Sequence, residues 1–153
     1  MFFLLTALMT AIAFIPAIQV NRVIMDGNDV IAVDDVLVTL EYVHSVELMR
    51  IVETYTVSNC KITLTNFTWS GAGAGLPTLT DSPNHIRHIS RGYSLENITL
   101  PLRLAIDVKY RLNPRITVNG EEVLVKDRLI VEACSHESLA EIIRCRIEGC
   151  LIG

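Results

Sequence analysis

Several absences narrow this 153-residue chain before any motif is considered. There is no basic stripe: the net charge is -4, with acidic and basic residues interspersed, so nothing here neutralises a phosphate backbone, and nucleic acid is not an expected partner. Blocks of like charge, low-complexity tracts and repeats of solenoid length are missing, which excludes a disordered tail or an array. The four cysteines, Cys60, Cys134, Cys145 and Cys150, include no CxxC pair, and tetrahedral zinc sites normally draw on such pairs. No G-x-S-x-G elbow and no G-x-x-x-x-G-K-[ST] loop occurs, so a serine hydrolase of the common type and a nucleotide phosphate cradle are not indicated. Charge is also missing from Phe2 to Val20.

That last absence is itself a signal. FFLLTALMTAIAFIPAIQV would reach about 28 Å as a helix, close to a hydrocarbon core. It is expected to be a transmembrane anchor or a signal peptide, with Ala11-Ile12-Ala13 as an A-x-A-like cleavage point and Pro16 ending the helical part; a buried first element of a cytosolic protein is the alternative. Residues 1–20 are thus set apart from a single β-rich extracytoplasmic domain at 21–153, a length sufficient for one core. Arg22, just past the run, argues weakly for the opposite orientation. The sequons at Asn66 and Asn97 are glycosylation candidates that fit an exported domain. So does the even set of cysteines, which allows two disulfides in any of three pairings, one of them within the C-terminal cluster of Cys134, Cys145 and Cys150; four small buried hydrophobes is the other reading.

Strand patterns dominate the remainder. Val36 to Tyr42 alternates, Met49 to Val57 is rich in β-branched and aromatic residues, and Lys61 to Thr65, Leu102 to Tyr110 and Arg128 to Glu132 add further runs. Asp26-Gly27-Asn28 and Asn119-Gly120 read as hairpin turns. These features predict an all-β fold, an antiparallel β-sandwich or small barrel of some eight strands. A short C-terminal helix from His136 to Glu148, capped by Ser135 and stopped by Gly149, is expected to follow.

Within YVHSVELMRIVETYTV, Tyr42 to Val57, polar residues interrupt a strand pattern. Alternation puts His44 at the end of the apolar face of its strand, with Ser45 and Glu47 facing away. Pairing residue 44 with 51 would bring Glu53 opposite Tyr42 and diagonal to His44, giving a His and Glu pair at the rim of the core. Such a pair either fixes strand register or serves a ligand or ion site with Glu47; His85 and His88, in a segment that reads as loop, are additional donors. The run SGAGAGLP, Ser70 to Pro77, contributes Gly73 and Gly75 either as an anion-binding nest or as a corner of the sandwich.

The HSVE element at His44 to Glu47, Glu53 and the Gly73-Ala74-Gly75-Leu76-Pro77 element together resemble the domain of unknown function 1850 family over roughly Val36 to Ala133. The resemblance carries no established reaction. Its matching positions include His44, Ser45, Glu47 and Glu53, which with Gly73 and Gly75 are the binding candidates, and it implies an accessory role outside the cytoplasm beside a tripartite ATP-independent (TAXI-type) transporter permease. A ligand-binding accessory module is therefore the expected function. A small metal-assisted or acid/base hydrolase using His44 and Glu53 and a surface structural subunit are the alternatives, and the cofactor, like the metal, is left unassigned.

Overall fold

The alternation of Val36 to Tyr42 becomes, in a computed structural model of the chain, the inner row of one of two β-sheets packed face to face. The residues described are 18–32, 34–71, 76, 86–89, 92–137, 143–144, 147–148 and 151–152. The first sheet has the order β13-β2-β1-β12-β9. It is built from β1 (Ile18–Met25), β2 (Asn28–Ala32), β9 (Arg103–Asp107), β12 (Arg128–Glu137) and β13 (Leu151–Ile152). The second runs β11-β10-β3-β4-β5-β7-β6, with β8 also on β5. Its strands are β3 (Val36–Val43), β4 (Arg50–Ser58), β5 (Lys61–Trp69), β6 (Ile86–Ile89), β7 (Gly92–Leu95), β8 (Ile98–Leu100), β10 (Leu112–Val118) and β11 (Glu121–Val123). Every pairing is antiparallel except that of β13 with β2.

Hairpin chemistry sets the register. Asp26 and Gly27 both take positive φ between β1 and β2, and Asn119 and Gly120 do so between β10 and β11, as two-residue primed turns require. Asn59 and Cys60 make the same turn between β4 and β5 without a glycine. Core-facing Val36, Val38 and Leu40 of β3 and Ile51 and Val57 of β4 are buried together with Val23, Leu129, Val131 and Ile106 of the other sheet. The sheets are also joined covalently, because Cys60 in the β4–β5 turn bridges Cys134 in β12. Cys134 has positive φ at the place where the β1–β12 register shifts, between Val20 and Arg22. That bulge turns β12 at the position of the bridge.

The all-β sandwich expected from the sequence is the observed fold, with two corrections. Ser135, His136 and Glu137 do not begin a helix; they pair with Val20, Gln19 and Ile18 as the end of β12, so strand pairing overrides the serine cap. The rest of the expected helix falls mostly outside the described residues, where only 143–144 and 147–148 have helical backbone. Ile86–Ile89, read as loop, is strand β6, paired with β7. Of the bridges that the four cysteines allow, Cys60–Cys134 is formed, and Cys145 and Cys150 lie outside the described residues. Most of the N-terminal apolar run, residues 1–17, also lies outside them, while Ile18 to Val20 already belong to β1. Among the described residues no helix is long and apolar enough to cross a membrane.

Pairing directions give the sandwich two poles. At one, β1 begins beside the end of β12, and the Cys60–Cys134 bridge closes the space between the sheets. At the other lie the β3–β4 turn, the β1–β2 turn and the 3-10 turn, Val108–Tyr110, that carries the chain from β9 into β10.

Candidate functional site

The site is built at the second pole, where β3 stops at Val43 and the chain turns back. The His44 amide donates to the Met49 carbonyl (2.8 Å) and the Leu48 amide to the His44 carbonyl (2.9 Å), closing a tight loop. Leu48 takes φ 52°, a conformation uncommon for a branched side chain, and Leu48 and Val46 are 72% and 69% exposed. The Glu47 amide donates to His44 Nδ1 (3.3 Å), so a neutral imidazole here carries its proton on Nε2. The turn is centred one residue earlier than expected, which moves the register by two: Val43 pairs with Arg50, Tyr42 with Ile51 and Leu40 with Glu53.

A two-residue slip preserves the face and changes the partner. Glu53 does lie on the inner face, at 7% exposure, in the row Ile51, Glu53, Tyr55, Val57. Its diagonal neighbour across the strands is Tyr42, however, not His44. Tyr42 Oη donates to Glu53 Oε1 (2.7 Å) and Tyr55 Oη to Glu53 Oε2 (2.5 Å). Arg111, the residue after the 3-10 turn, brings its guanidinium 3.7 Å from Oε1 and stacks it on the Tyr42 ring, 4.1 Å from the centroid. A buried carboxylate without partners would be strongly destabilising; here two hydroxyls and a cation satisfy it. Burial pushes both tyrosine hydroxyls well above the ordinary phenol range, and the adjacent Glu53 charge raises them further, so both stay protonated as donors.

This network forms the wall of a cleft of about 520 Å³ at the open edge of the sandwich, between β9 and the β3–β4 hairpin. Tyr42, Glu53, Tyr55, Arg111, His44 and Ser45 line it, with the Leu104 to Asp107 strand opposite. His44 and Ser45 reach the same cleft, contrary to strict alternation, because the strand has ended before them. Glu47 is exposed, outside the cleft lining. His44, Glu47 and Glu53 therefore do not converge as an ion site, and among the described residues no group of three or more His, Cys, Asp or Glu could hold a metal. His44 and Glu53 share a cavity but not a hydrogen bond. Glu53 is committed to tyrosines, which disfavours a histidine-carboxylate pair for proton transfer.

The remaining candidates are dispersed. Gly73, Gly75 and His85 lie outside the described residues, and His88 falls in β6. Asn66 is inside paired strand β5 and accepts a hydrogen bond from Ser94 Oγ (3.3 Å), a poor position for a glycan, whereas Asn97 is exposed between β7 and β8. Two principal members of the network were not singled out from the sequence. Tyr55 carries a usable signal, since it lies two residues from Glu53 on the same strand face. Arg111 carries none, being set beside the end of β3 by the 3-10 turn that leads into β10.

No curated protein and no solved structure matches this chain. The family model described as "Domain of unknown function (DUF1850)" matches residues 38–124, which span β3 to β11 and include every member of the Glu53 network. That match covers more than half of the sequence, and the chain belongs to this family.

Proposed function

We propose that the protein is an extracytoplasmic ligand-binding accessory module that presents a small polar molecule at the cleft pole. The observation carrying this reading is Glu53: a carboxylate placed in a core row, satisfied by Tyr42, Tyr55 and Arg111, and opening on a cavity of about 520 Å³. Cavities of roughly 300–1,000 Å³ with a few convergent polar groups are the usual form of small-molecule sites. A plain sandwich would fill this position with a hydrophobe at no loss of stability. The compartment is supported by the Cys60–Cys134 bridge, since disulfides persist where the surroundings are oxidising, and by the uncharged run Phe2 to Val20. The proposed partner, a TAXI-type transporter permease, rests on the family context alone.

A thermal-shift screen of the full chain against small polar metabolites tests the reading, with Ser45→Trp as control. Ser45 is exposed at the cleft rim, so the indole should plug the cavity and leave the core intact. The expected result is a compound that raises the Tm of the wild type and not of the variant. Equal shifts in both would place binding elsewhere. Conversion of the bound compound, instead of simple retention, would favour the hydrolase alternative centred on His44 and Glu53.

A further inference from the structure

The hydrogen-bonding groups left over in the cleft select a ligand of one charge. Glu53 Oε1 accepts from Tyr42 and faces Arg111, and Oε2 accepts from Tyr55, so the carboxylate is already answered and is 7% exposed. Both tyrosine hydroxyls spend their protons on it. Asp107, the other acid of the lining, accepts from Arg128 Nε at 2.7 Å.

Arg111 is different. Its side chain is 30% exposed, it lies over the Tyr42 ring and also reaches the Tyr42 hydroxyl, and the Glu53 carboxylate stands at 3.7 Å, beyond hydrogen-bond length. A guanidinium has five N–H donors in a rigid fork, more than Tyr42 can use, and this one lines the cleft. Ser45 adds a hydroxyl at the rim, and the neutral His44 ring adds an Nε2–H donor, because its Nδ1 accepts from the Glu47 amide. The donors left open in the cavity are therefore those of Arg111, Ser45 and His44, while the Asp107 carboxylate, 43% exposed, is answered by Arg128.

Building on the ligand-binding reading above, we propose that the cleft takes a small organic carboxylate, held by the fork of Arg111 with His44 and Ser45 as supporting donors. Tyr42 and Glu53 act as positioning residues: the ring sets the plane of the guanidinium, and the carboxylate draws it to the cleft wall. Phosphate shares this chemistry, but a planar carboxylate matches the fork more closely.

The test is a titration of the full chain with acetate, succinate and benzoate, with inorganic phosphate and methylammonium as contrasting probes, followed by backbone amide NMR shifts. Carboxylates are expected to move amides at residues 42–45, 53–55 and 104–111, and Arg111→Lys, which keeps the charge but loses the fork, should weaken binding about tenfold or more. Ser45→Asp, on the exposed rim, adds a repelling charge without entering the core. It should weaken carboxylate binding even if the arginine variants fail to fold. Tighter binding of phosphate than of any carboxylate would overturn the assignment of ligand class. Binding of methylammonium at the same amides would do so too, while leaving the binding cleft in place. If no probe of either charge moves the cleft amides, both the carboxylate proposal and the ligand-binding reading fail.

Discussion

The two poles of the sandwich are closed by opposite means. At the Cys60–Cys134 pole a covalent bridge and apolar side chains hold the sheets together. At the cleft pole a buried charge, two hydroxyls and a stacked guanidinium replace them, and a cavity remains. The bridged pole spends its chemistry on stability. The other retains polar groups whose burial earns little stability and fixes their geometry, which is the balance expected of a recognition site.

Removing the covalent closure should give the largest effect. In the chain-entropy account a bridge across a sequence separation of 74 is worth on the order of 4 kcal/mol, so Cys60→Ser with Cys134→Ser should lower Tm by about 8–16 °C. Scanning calorimetry with and without reductant checks this, and the cleft amides should be unmoved by the change. If they shift, the poles are coupled and the contrast between them fails. Glu53→Ala should come next, destabilising by about 3 kcal/mol, since it opens a void and orphans two buried hydroxyls; Glu53→Gln should lose about half as much, and urea unfolding would rank the two. A smaller loss, of about 1 kcal/mol, is expected for Tyr55→Phe, which removes one donor and keeps the ring.

Two pH responses sharpen the comparison. Tyr42 and Tyr55 have folded pKa values raised above the ordinary 10.0, so the stabilisation they confer as neutral donors is fully present below that value and lost as pH climbs through the higher folded one. Phenolate absorbance of the folded protein at about pH 11 should therefore be the same in the wild type and in Tyr55→Phe. The smallest effect is expected at Asp26, exposed beside the cleft pole. Its carboxylate accepts from the Lys126, Asp127 and Arg128 amides (2.7, 2.8 and 3.0 Å), and these bonds hold its pKa below the usual carboxylate range. Its contribution is present above the unfolded value and lost as pH falls through the folded one, so Asp26→Asn should flatten the acid limb of a stability profile. An unchanged limb would show that Asp26 has no thermodynamic role.

Local patterns made much of this fold legible. Alternation in β3 identified the buried row, and the Asp26-Gly27 and Asn119-Gly120 turns marked two hairpins correctly. The face of Glu53 was also legible, because parity survives a two-residue slip; its partner was not, because the turn is centred one residue earlier than expected and contains Leu48 in a conformation that its side chain does not announce. Strand β12 continued past Ser135 because β1 was there to pair with it, a tertiary fact invisible in the local capping signal. Arg111 was hidden for the same reason. Its position depends on how the 3-10 turn joins two sheets.

The opposition of the poles also fixes a lever arm. The described chain enters at Ile18, beside the bridged pole, while the cleft opens past the start of β4 at the other end of nine residues of strand. At about 3.3 Å per residue the mouth stands roughly 30 Å from that entry point. The entry of the described chain and the mouth of the cleft therefore face opposite ends of the sandwich, so a molecule filling the cleft need not touch the end at which β1 begins.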